Sequence, residues 1–242
     1  MKAGKKWTAA LPILAGAMWG SAGVFVRKLY AFGMDSYTIL ATKMCVGAVI
    51  LFLILLCWKP KLLRVRWQDL WIFLGSGILG MLGLNYCYNE AIRTVSMSLA
   101  AVLLGLSPIF VMLLSAVLFR EKITARKLGC MALALVGCLL VSGVLEGSGL
   151  QWSWGGIGMG VLSAFFYALY AIFAKTASNR GYDTFTIIFY SILAISLVLL
   201  PLTDWGSFGA FLAEAPVGNT VFTLAHAAFT TILPYALYTL SQ

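Results

Sequence analysis

Apolar runs of about twenty residues occupy most of this chain, and they constrain its fold more than any other feature. An α-helix rises about 1.5 Å per residue, so a run of this length crosses a hydrocarbon core of about 30 Å. Helices are required because an unpaired backbone amide in lipid costs several kcal/mol. We predict an all-α polytopic membrane protein with eight transmembrane helices, at residues 7–26, 36–58, 70–88, 95–119, 128–145, 154–174, 184–202 and 217–240.

The composition is unlike that of a soluble protein. Of 242 residues, 62% are hydrophobic and 10% are charged, whereas soluble domains carry about a quarter charged residues. The net charge of +9 suggests a nucleic-acid partner. We reject that partner because the basic residues lie between the apolar runs, where they act as topology signals. The five cysteines lie in or beside apolar runs without a CxxC pattern, so we predict no disulfide and no metal site.

The loops between the predicted helices sort the basic residues by side. Three of these residues fall on one side of the membrane: Arg27, Lys28 and Arg93. Thirteen fall on the other side: Lys2, Lys5, Lys6, Lys59, Lys61, Arg64, Arg66, Arg120, Lys122, Arg126, Lys127, Lys175 and Arg180. Under the positive-inside rule the second side is cytoplasmic. We predict a plasma-membrane protein with a cytoplasmic N-terminus.

The chain repeats itself with an offset of 148 residues. Residues 33–40 (GMDSYTIL) align with residues 181–188 (GYDTFTII), with four identical positions. The repeat spans five predicted helices, and because five is odd the second copy enters the membrane from the opposite side. We predict two inverted five-helix repeats, at residues 1–146 and 147–242. The N-terminal run is then a true helix and not a cleaved signal peptide, because its counterpart near residue 154 is internal.

The second repeat stops before its fourth and fifth helices. By comparison with the first copy, about 50 residues are missing after Gln242. We therefore expect a C-terminally truncated form of a ten-span protein of about 295 residues.

Three short segments carry a family resemblance: residues 91–96 (AIRTVS), 107–110 (SPIF) and 119–124 (FREKIT). Together with the five-span repeat, they resemble the drug/metabolite transporter superfamily, specifically proteins with paired EamA-type domains. Lys43 sits where that family commonly has an arginine. The resemblance implies a permease, often an exporter of amino acids or related metabolites, with a substrate cavity between the repeats. The ninth and tenth helices of the family have no counterpart here.

Small residues recur every four positions in two predicted helices. Such spacing lets membrane helices approach closely, so we predict helix packing, with direct substrate contact as the alternative. The residues are Gly156, Gly160, Ala164 and Ala168 in the sixth helix, with Gly16 and Gly20 in the first.

Lys43, Glu90 and Pro108 are candidates for the substrate cavity. For the first two the reason is that ionisable residues within a span are functional by default. Lys43 lies about 10 Å below the outer surface, where its ammonium either snorkels to water or faces a cavity. Glu90 lies at a comparable level, and we hypothesise that the two pair, or share the cavity mouth, with Glu90 as a proton-coupling carboxylate. A solvated loop carboxylate is the alternative for Glu90. Pro108 either fixes a bend or exposes polar backbone to substrate.

The other cavity candidates are aromatic side chains with polar groups. His226 is the only histidine, and it serves either a structural hydrogen bond or a proton relay. An interfacial belt or core packing is the alternative for the rest. These are Trp19, Tyr86, Tyr88, Tyr167, Tyr170, Tyr235 and Tyr238. Outside the spans, we predict that Glu121 pairs with Arg120 or Lys122.

The predicted function is a secondary-active permease or exporter of small, amino-acid-like metabolites that works by alternating access. A non-transporting fragment, a structural or sensory membrane protein, a channel and an intramembrane enzyme are the alternatives. An enzyme is disfavoured because HExxH, GxSxG and P-loop patterns are missing and the acidic residues are scattered. The expected partners are a small-molecule substrate and the lipid bilayer, with a coupling proton or other ion and a homodimer left open. We expect no cofactor and no nucleic acid.

Overall fold

The computed structural model describes residues 10–121, 123–141, 153–234 and 237, and every regular element among them is helical. The all-α prediction is therefore confirmed. Within these residues, five helices are long and apolar enough to cross a membrane: Ser36–Trp58, Trp67–Thr94, Met97–Phe119, Trp154–Asn179 and Thr184–Leu202. The other three predicted spans are helical over shorter stretches, so the count of eight stays a prediction.

Twelve α-helices lie within the described residues. In chain order they are α1 (Ala10–Gly20), α2 (Ala22–Ala31), α3 (Ser36–Trp58), α4 (Leu70–Leu74), α5 (Gly83–Thr94), α6 (Met97–Leu104), α7 (Ser107–Phe119), α8 (Ala125–Val141), α9 (Trp154–Asn179), α10 (Thr184–Leu199), α11 (Trp205–Glu214) and α12 (Pro216–Ala227). Two π-helical stretches, Gly75–Leu82 and Ala228–Ile232, continue α4 into α5 and extend α12. Short 3₁₀ turns lie at Pro60–Leu63, Trp67–Asp69 and Leu200–Leu202.

The chain forms two compact units, and each takes helices from both predicted repeats. The first unit combines Met1–Arg64 with Thr184–Gln242, and the second is Val65–Asp183. In the first unit, α3 packs against α10, α12 and the π-helical stretch that follows α12. In the second unit, α9 is the central helix and packs against α5, α6, α7 and the π-helical stretch before α5. The repeat boundary at residues 146–147 stays a prediction.

Polar side chains cap the N-termini of several helices. At α3, the Asp35 carboxylate accepts a hydrogen bond from the Thr38 N–H at 3.0 Å. Ser96 caps α6, Ser153 caps α9 and Asp204 caps α11 in the same manner. Each cap satisfies a backbone N–H that has no partner inside the first helical turn.

Gly33 and Gly181 end α2 and α9 with the same turn. Their φ angles are 81° and 85°, in the left-handed region that favours glycine. In both turns the glycine N–H donates to the carbonyl three residues back at 2.9 Å. The next N–H donates to the carbonyl five residues before it, at 3.3 Å in the first turn and 3.2 Å in the second. These bonds define a Schellman motif at two positions 148 residues apart.

Several helices extend beyond their predicted ends. Arg27 and Lys28, predicted in a loop, lie inside α2, and Arg93 lies inside α5. Lys175 likewise lies inside α9. A helix does not have to end where the hydrocarbon ends, because its backbone bonds also form in the interfacial region. Hydropathy therefore placed these ends up to six residues too early.

Candidate functional site

A buried polar layer lies within the first unit, where α3 faces α12 and its π-helical extension. The exposed fractions of Lys43, His226 and Thr231 are 5%, 1% and 1%. Lys43 comes from α3, His226 from the last turn of α12, and Thr231 from the π-helical stretch. The sequence predicted Lys43 and His226 as cavity residues. The fold adds Thr231 and brings the three onto facing surfaces of one unit.

The contacts across this layer pair one turn of α3 with one π-helical turn. Gly47 lies one turn after Lys43, and a Cβ built on it would meet the Thr231 Cγ2 at 3.6 Å. The His226 ring stacks on Phe25, with centroids 5.2 Å apart and an interplanar angle of 10°. Thr231 therefore faces the Gly47 turn of α3, while the His226 ring lies against Phe25 of α2.

Two polar atoms of this layer are left without a partner. The His226 Nε2 and the Thr231 Oγ1 are buried and have no hydrogen-bond partner among the described residues. By contrast, the neighbouring Thr230 hydroxyl donates to the His226 carbonyl at 2.6 Å. A buried polar atom without a hydrogen-bond partner lowers the stability of the folded state. Such an atom is retained where another interaction or a functional role offsets that loss.

The second unit holds a cavity of about 890 Å³ among α7, α8 and α9. Two predicted cavity residues, Pro108 and Tyr167, line it together with Ser107 and Ser115. Pro108 lies in the first turn of α7, and the helix is interrupted just before it, at Gly105 and Leu106. This interruption agrees with the kink that the proline predicted, since proline cannot donate the backbone bond that continues a helix. That substrate occupies the cavity stays a prediction.

Glu121 lies at the loop end of this cavity with two lysine partners. It forms ion pairs with Lys127 at 3.2 Å and with Lys175. Its hydrogen bonds from Lys175 and Lys127 and the charges of both lysines lower the pKa of the Glu121 carboxyl below its usual range. The predicted pairing with Arg120 was wrong, because the chain turns here and brings α8 and α9 to the carboxylate. Lys122 lies outside the described residues.

Glu90 forms an ion pair with Arg93 at 3.5 Å along α5, and its side chain is 15% exposed. The pairing of Glu90 with Lys43 stays a prediction. The preceding residue, Asn89, is 2% exposed, and its Nδ2 has no hydrogen-bond partner among the described residues. Sequence reasoning missed Asn89 and Thr231. A polar side chain within an apolar run was the available signal, but Thr and Asn were too common in these runs to single out two.

The remaining aromatic candidates lie in both units. Trp19, Tyr86, Tyr88 and Tyr170 are half-buried, while Tyr167 is at the limit of exposed. The rings of Tyr167 and Tyr170 lie 6.4 Å apart on α9. Tyr235 and Tyr238 lie outside the described residues. A cavity role for these side chains stays a prediction.

The small residues predicted to pack between helices lie on α9 and α1, and those on α9 are in close contact with neighbouring side chains. Ala164 and Ala168 on α9 are 0% exposed, and a Cβ built on Gly160 would meet the Leu103 Cδ1 at 2.5 Å. A Cβ on Gly156 would meet the Val95 Cγ1 at 2.7 Å. The packing role of the α1 residues, which are Gly16 and Gly20, stays a prediction.

A model of the EamA-like transporter family matches residues 6–143 and 154–242. The chain belongs to the EamA-like transporter family. It is therefore an integral membrane protein of a small-molecule transporter family, and not of an enzyme family.

Several proteins named as transporters are about one quarter identical to the chain. Two uncharacterized transporters of Archaeoglobus fulgidus are each 26% identical. One aligns over 81% of this chain and 67% of its own length, and the other over 93% and 74%. The pseudopaline exporter CntI of Pseudomonas aeruginosa is 27% identical over 82% of this chain and 66% of its own length.

A solved crystal structure shares the EamA-like fold of the chain. It superposes with a TM-score of 0.58 at 15% sequence identity, over 98% of this chain and 85% of its own. At that identity the similarity concerns the fold alone.

Proposed function

We propose that this EamA-like chain is a secondary-active permease that exports small, amino-acid-like metabolites by alternating access. The proposal places the chain in the plasma membrane, with the N-terminus in the cytoplasm and two inverted repeats related by the five-helix period. A proton is the proposed coupling ion, with Glu90 as its acceptor. Inverted repeats are a common structure of secondary transporters, whose two halves rock around a fixed site.

The matching turns at Gly33 and Gly181 are the observation that carries the proposal. Both have a positive φ, the same pair of backbone hydrogen bonds, and a helix that begins three residues later. The offset of 148 residues is the same as that of the sequence repeat. Agreement in backbone geometry supports a true duplication, because apolar sequences resemble one another by composition without sharing their turns.

The π-helical stretches give independent support. Gly75–Leu82 lies in the third predicted helix and Ala228–Ile232 in the eighth, which are partners in the proposed repeat. π-Helical turns are rare and occur mostly at functional sites. Two such turns at repeat-related places support a duplicated functional element.

The proposed direction of transport and substrate class are supported by the relatives of the chain and by the buried ionisable residues of its helices. One relative is named as an exporter of pseudopaline. The resemblance of this chain to permeases of amino acids and related compounds favours a substrate of similar size. Carrier chemistry also fits the buried polar groups, since ionisable residues within membrane helices mark substrate or ion pathways.

Cysteine labelling tests the inverted topology. In a cysteine-free background, Ala31→Cys and Asn179→Cys place single thiols at exposed, repeat-matched positions, the last residues of α2 and α9. We expect a membrane-impermeant maleimide to label Ala31→Cys in intact cells and Asn179→Cys only after permeabilisation. Labelling of both from the same side contradicts the inverted repeat.

Counterflow in proteoliposomes tests the transport mechanism. We expect saturable uptake of a labelled amino acid that is stimulated by the same unlabelled compound inside the vesicle. Non-saturable flux of many solutes would indicate a channel. Glu90→Gln tests proton coupling: we expect it to flatten the pH dependence of uptake, and an unchanged pH profile rejects Glu90 as the proton acceptor.

A further inference from the structure

Residues 59–64 of the first unit form a basic loop directly after α3. Lys59, Lys61 and Arg64 are exposed there, and the side chain of Trp58, the last residue of α3, is 83% exposed. Helix α3 is one of those long and apolar enough to cross a membrane. Such a helix ends at the level of the lipid headgroups, where tryptophan is enriched. The basic loop therefore lies beside the phosphates of the bilayer.

The 3₁₀ turn Pro60–Leu63 places two of the basic side chains on one face. The Arg64 N–H donates to the Lys61 carbonyl at 3.2 Å, which is the three-residue bond of a 3₁₀-helix. Side chains three residues apart are in line in this helix, and they are separated by about 6 Å along its axis. Lys61 and Arg64 therefore point to the same side of the loop. Leu62 and Leu63, between them, are half-buried.

Two side chains of α10 hold the backbone of the basic loop. The Thr186 hydroxyl donates to the Leu62 carbonyl at 2.9 Å, and the Tyr190 hydroxyl donates to the Leu63 carbonyl at 2.7 Å. Both bonds lie within the first unit. Because α10 fixes the leucine side of the turn, the basic side chains are presented on its exposed side in one defined arrangement.

The carboxylates of the first unit lie at the other end of α3. Among the described residues they are Asp35, Asp204 and Glu214. Asp35 caps the start of α3, and the Asp204 N–H donates to the hydroxyl of Thr38 in the first turn. Helix α11, which ends at Glu214, packs beside the same turn through Phe211. Since α3 has 23 residues, the basic loop is about 35 Å away.

The basic loop also takes no part in the ion pairs of the described residues. Those ion pairs are formed by Asp69, Glu90 and Glu121, with basic partners outside residues 59–64. The positive charge of the loop is therefore not neutralised by a described carboxylate. An anion from outside the chain is the partner that such a surface fits.

We infer that the basic loop binds the phosphate of an anionic phospholipid. Phosphate oxygens accept hydrogen bonds from the Lys61 ammonium and, in pairs, from the Arg64 guanidinium. An anionic headgroup keeps the negative charge of its phosphate, whereas the choline of a zwitterionic lipid cancels it. Binding of this kind is more than a topology signal, because it requires the folded 3₁₀ turn as well as the charges. It does not depend on the identity of the transported substrate.

Lipid-dependent thermal unfolding tests the inference on the purified full chain in a neutral detergent. The probes are dioctanoyl phosphatidylglycerol, dioctanoyl phosphatidylcholine and glycerol 3-phosphate. A ligand that binds only the folded state raises the unfolding temperature according to its concentration and affinity. We expect phosphatidylglycerol to raise this temperature at concentrations at least about tenfold lower than the other two probes. No shift with phosphatidylglycerol, or an equal shift with phosphatidylcholine, overturns the inference. An equal shift with glycerol 3-phosphate identifies free phosphate as the ligand and overturns the lipid headgroup.

Matched double variants assign the effect to the basic loop. We expect Lys61→Gln with Arg64→Gln to raise the phosphatidylglycerol concentration for a half-maximal shift at least about tenfold. Arg27→Gln with Arg126→Gln removes two exposed arginines elsewhere and should change it less than about twofold. The exchange Lys61→Arg with Arg64→Lys keeps both charges and should retain the shift. Equal weakening by the two Gln pairs would indicate diffuse attraction to net charge and contradict a site at the loop.

Releasing the loop backbone tests the need for the folded turn. Thr186→Val with Tyr190→Phe removes both hydroxyls that hold the loop and leaves every charge in place. We expect this pair to raise the half-maximal phosphatidylglycerol concentration at least about threefold. An unchanged concentration contradicts a defined site. Tyr190→Phe alone leaves one of the two bonds, and it should weaken the shift less than the pair does.

Discussion

Helices α9 and α1 carry the same small-residue spacing in very different surroundings. On α9, Gly160 lies so close to Leu103 that an added Cβ would meet its Cβ at 2.8 Å. On α1, a Cβ on Gly16 or Gly20 would have nothing within 4 Å among the described residues, and both glycines are exposed. The two helices are partners in the proposed repeat. Small residues therefore permit close approach, but a neighbouring helix decides whether close approach occurs.

The difference follows from which helices each unit contains. In the second unit, the end of α5 and helix α6 pack against α9 on the face that carries Gly156 and Gly160. In the first unit, α1 contacts the π-helical stretch Ala228–Ile232 and the following helix α2. The spacing of small residues thus allows a neighbouring helix to pack closely. Such packing occurs on α9 and does not occur on the described part of α1.

The largest effect is expected at Gly80, where the added Cβ would meet the backbone of α9. A Cβ on Gly80 would lie 2.7 Å from the Tyr170 Cα, and a backbone atom cannot rotate away as a side chain does. We expect Gly80→Ala to lower the free energy of unfolding by about 3 kcal/mol, measured by thermal or denaturant unfolding in detergent. An effect below about 1 kcal/mol would mean that α9 and the π-helical stretch separate easily.

The next effect compares the two helices directly. We expect Gly160→Ala to destabilise the protein by about 1–2 kcal/mol, because Leu103 must shift to make room. Gly16→Ala has space and should stabilise α1 by about 0.5–1 kcal/mol through helix propensity. The same unfolding measurement serves both variants. Equal losses of stability would show that α1 packs as tightly as α9.

The matched turns give the third comparison. Gly33→Ala and Gly181→Ala each force a side chain into the left-handed region, and no described atom lies within 4 Å of either Cβ. We expect each to cost about 1–2 kcal/mol of unfolding free energy, and the two costs to agree closely. Because strain is the one physical cause in both turns, a large difference between the variants would argue that the turns are not equivalent.

The smallest effect concerns the charged end of α9. Lys175 pairs with Glu121, whereas Arg27, its counterpart on α2 in the proposed repeat, is exposed. Because the folded state lowers the pKa of Glu121, the ion pairs stabilise the protein above the unfolded carboxyl pKa of about 4.3 and lose this effect as the pH falls through the lower folded value. Glu121→Gln should therefore be less stable than the wild type at pH 7, and the two should converge once the pH falls below the lowered pKa of the folded Glu121 carboxyl.

Salt provides the control for the Glu121 prediction. The carboxylate and both lysines are partly exposed, so mobile ions screen the pairs. Raising the salt concentration should narrow the difference between Glu121→Gln and the wild type at pH 7. A difference in stability at pH 7 that raising the salt concentration does not narrow would be assigned to packing and not to charge.

Hydropathy predicted most of the helices, and rare residue types within the apolar runs predicted some of the candidate site residues. Residues 36–58 and 184–202 are helical within the predicted bounds, and Pro108 marks an interruption between α6 and α7. Lys43 and His226 were singled out because charged and titratable groups are rare within apolar runs. Thr231 was missed because a single hydroxyl in an apolar run is ordinary, and the partner of Glu121 was missed because it lies 54 residues along the chain.

By itself the sequence determined that this protein is helical, embedded in a membrane, and a member of a transporter family. The first two properties follow from the solvent, since lipid forces every backbone polar group of a span into a helix. Only the tertiary structure decided that α9, and not the described part of α1, uses its small residues, and that Thr231 joins His226 and Lys43. Those facts depend on which helices touch and on where a π-helical turn shifts the side chains, and neither is encoded in the hydropathy of a single run.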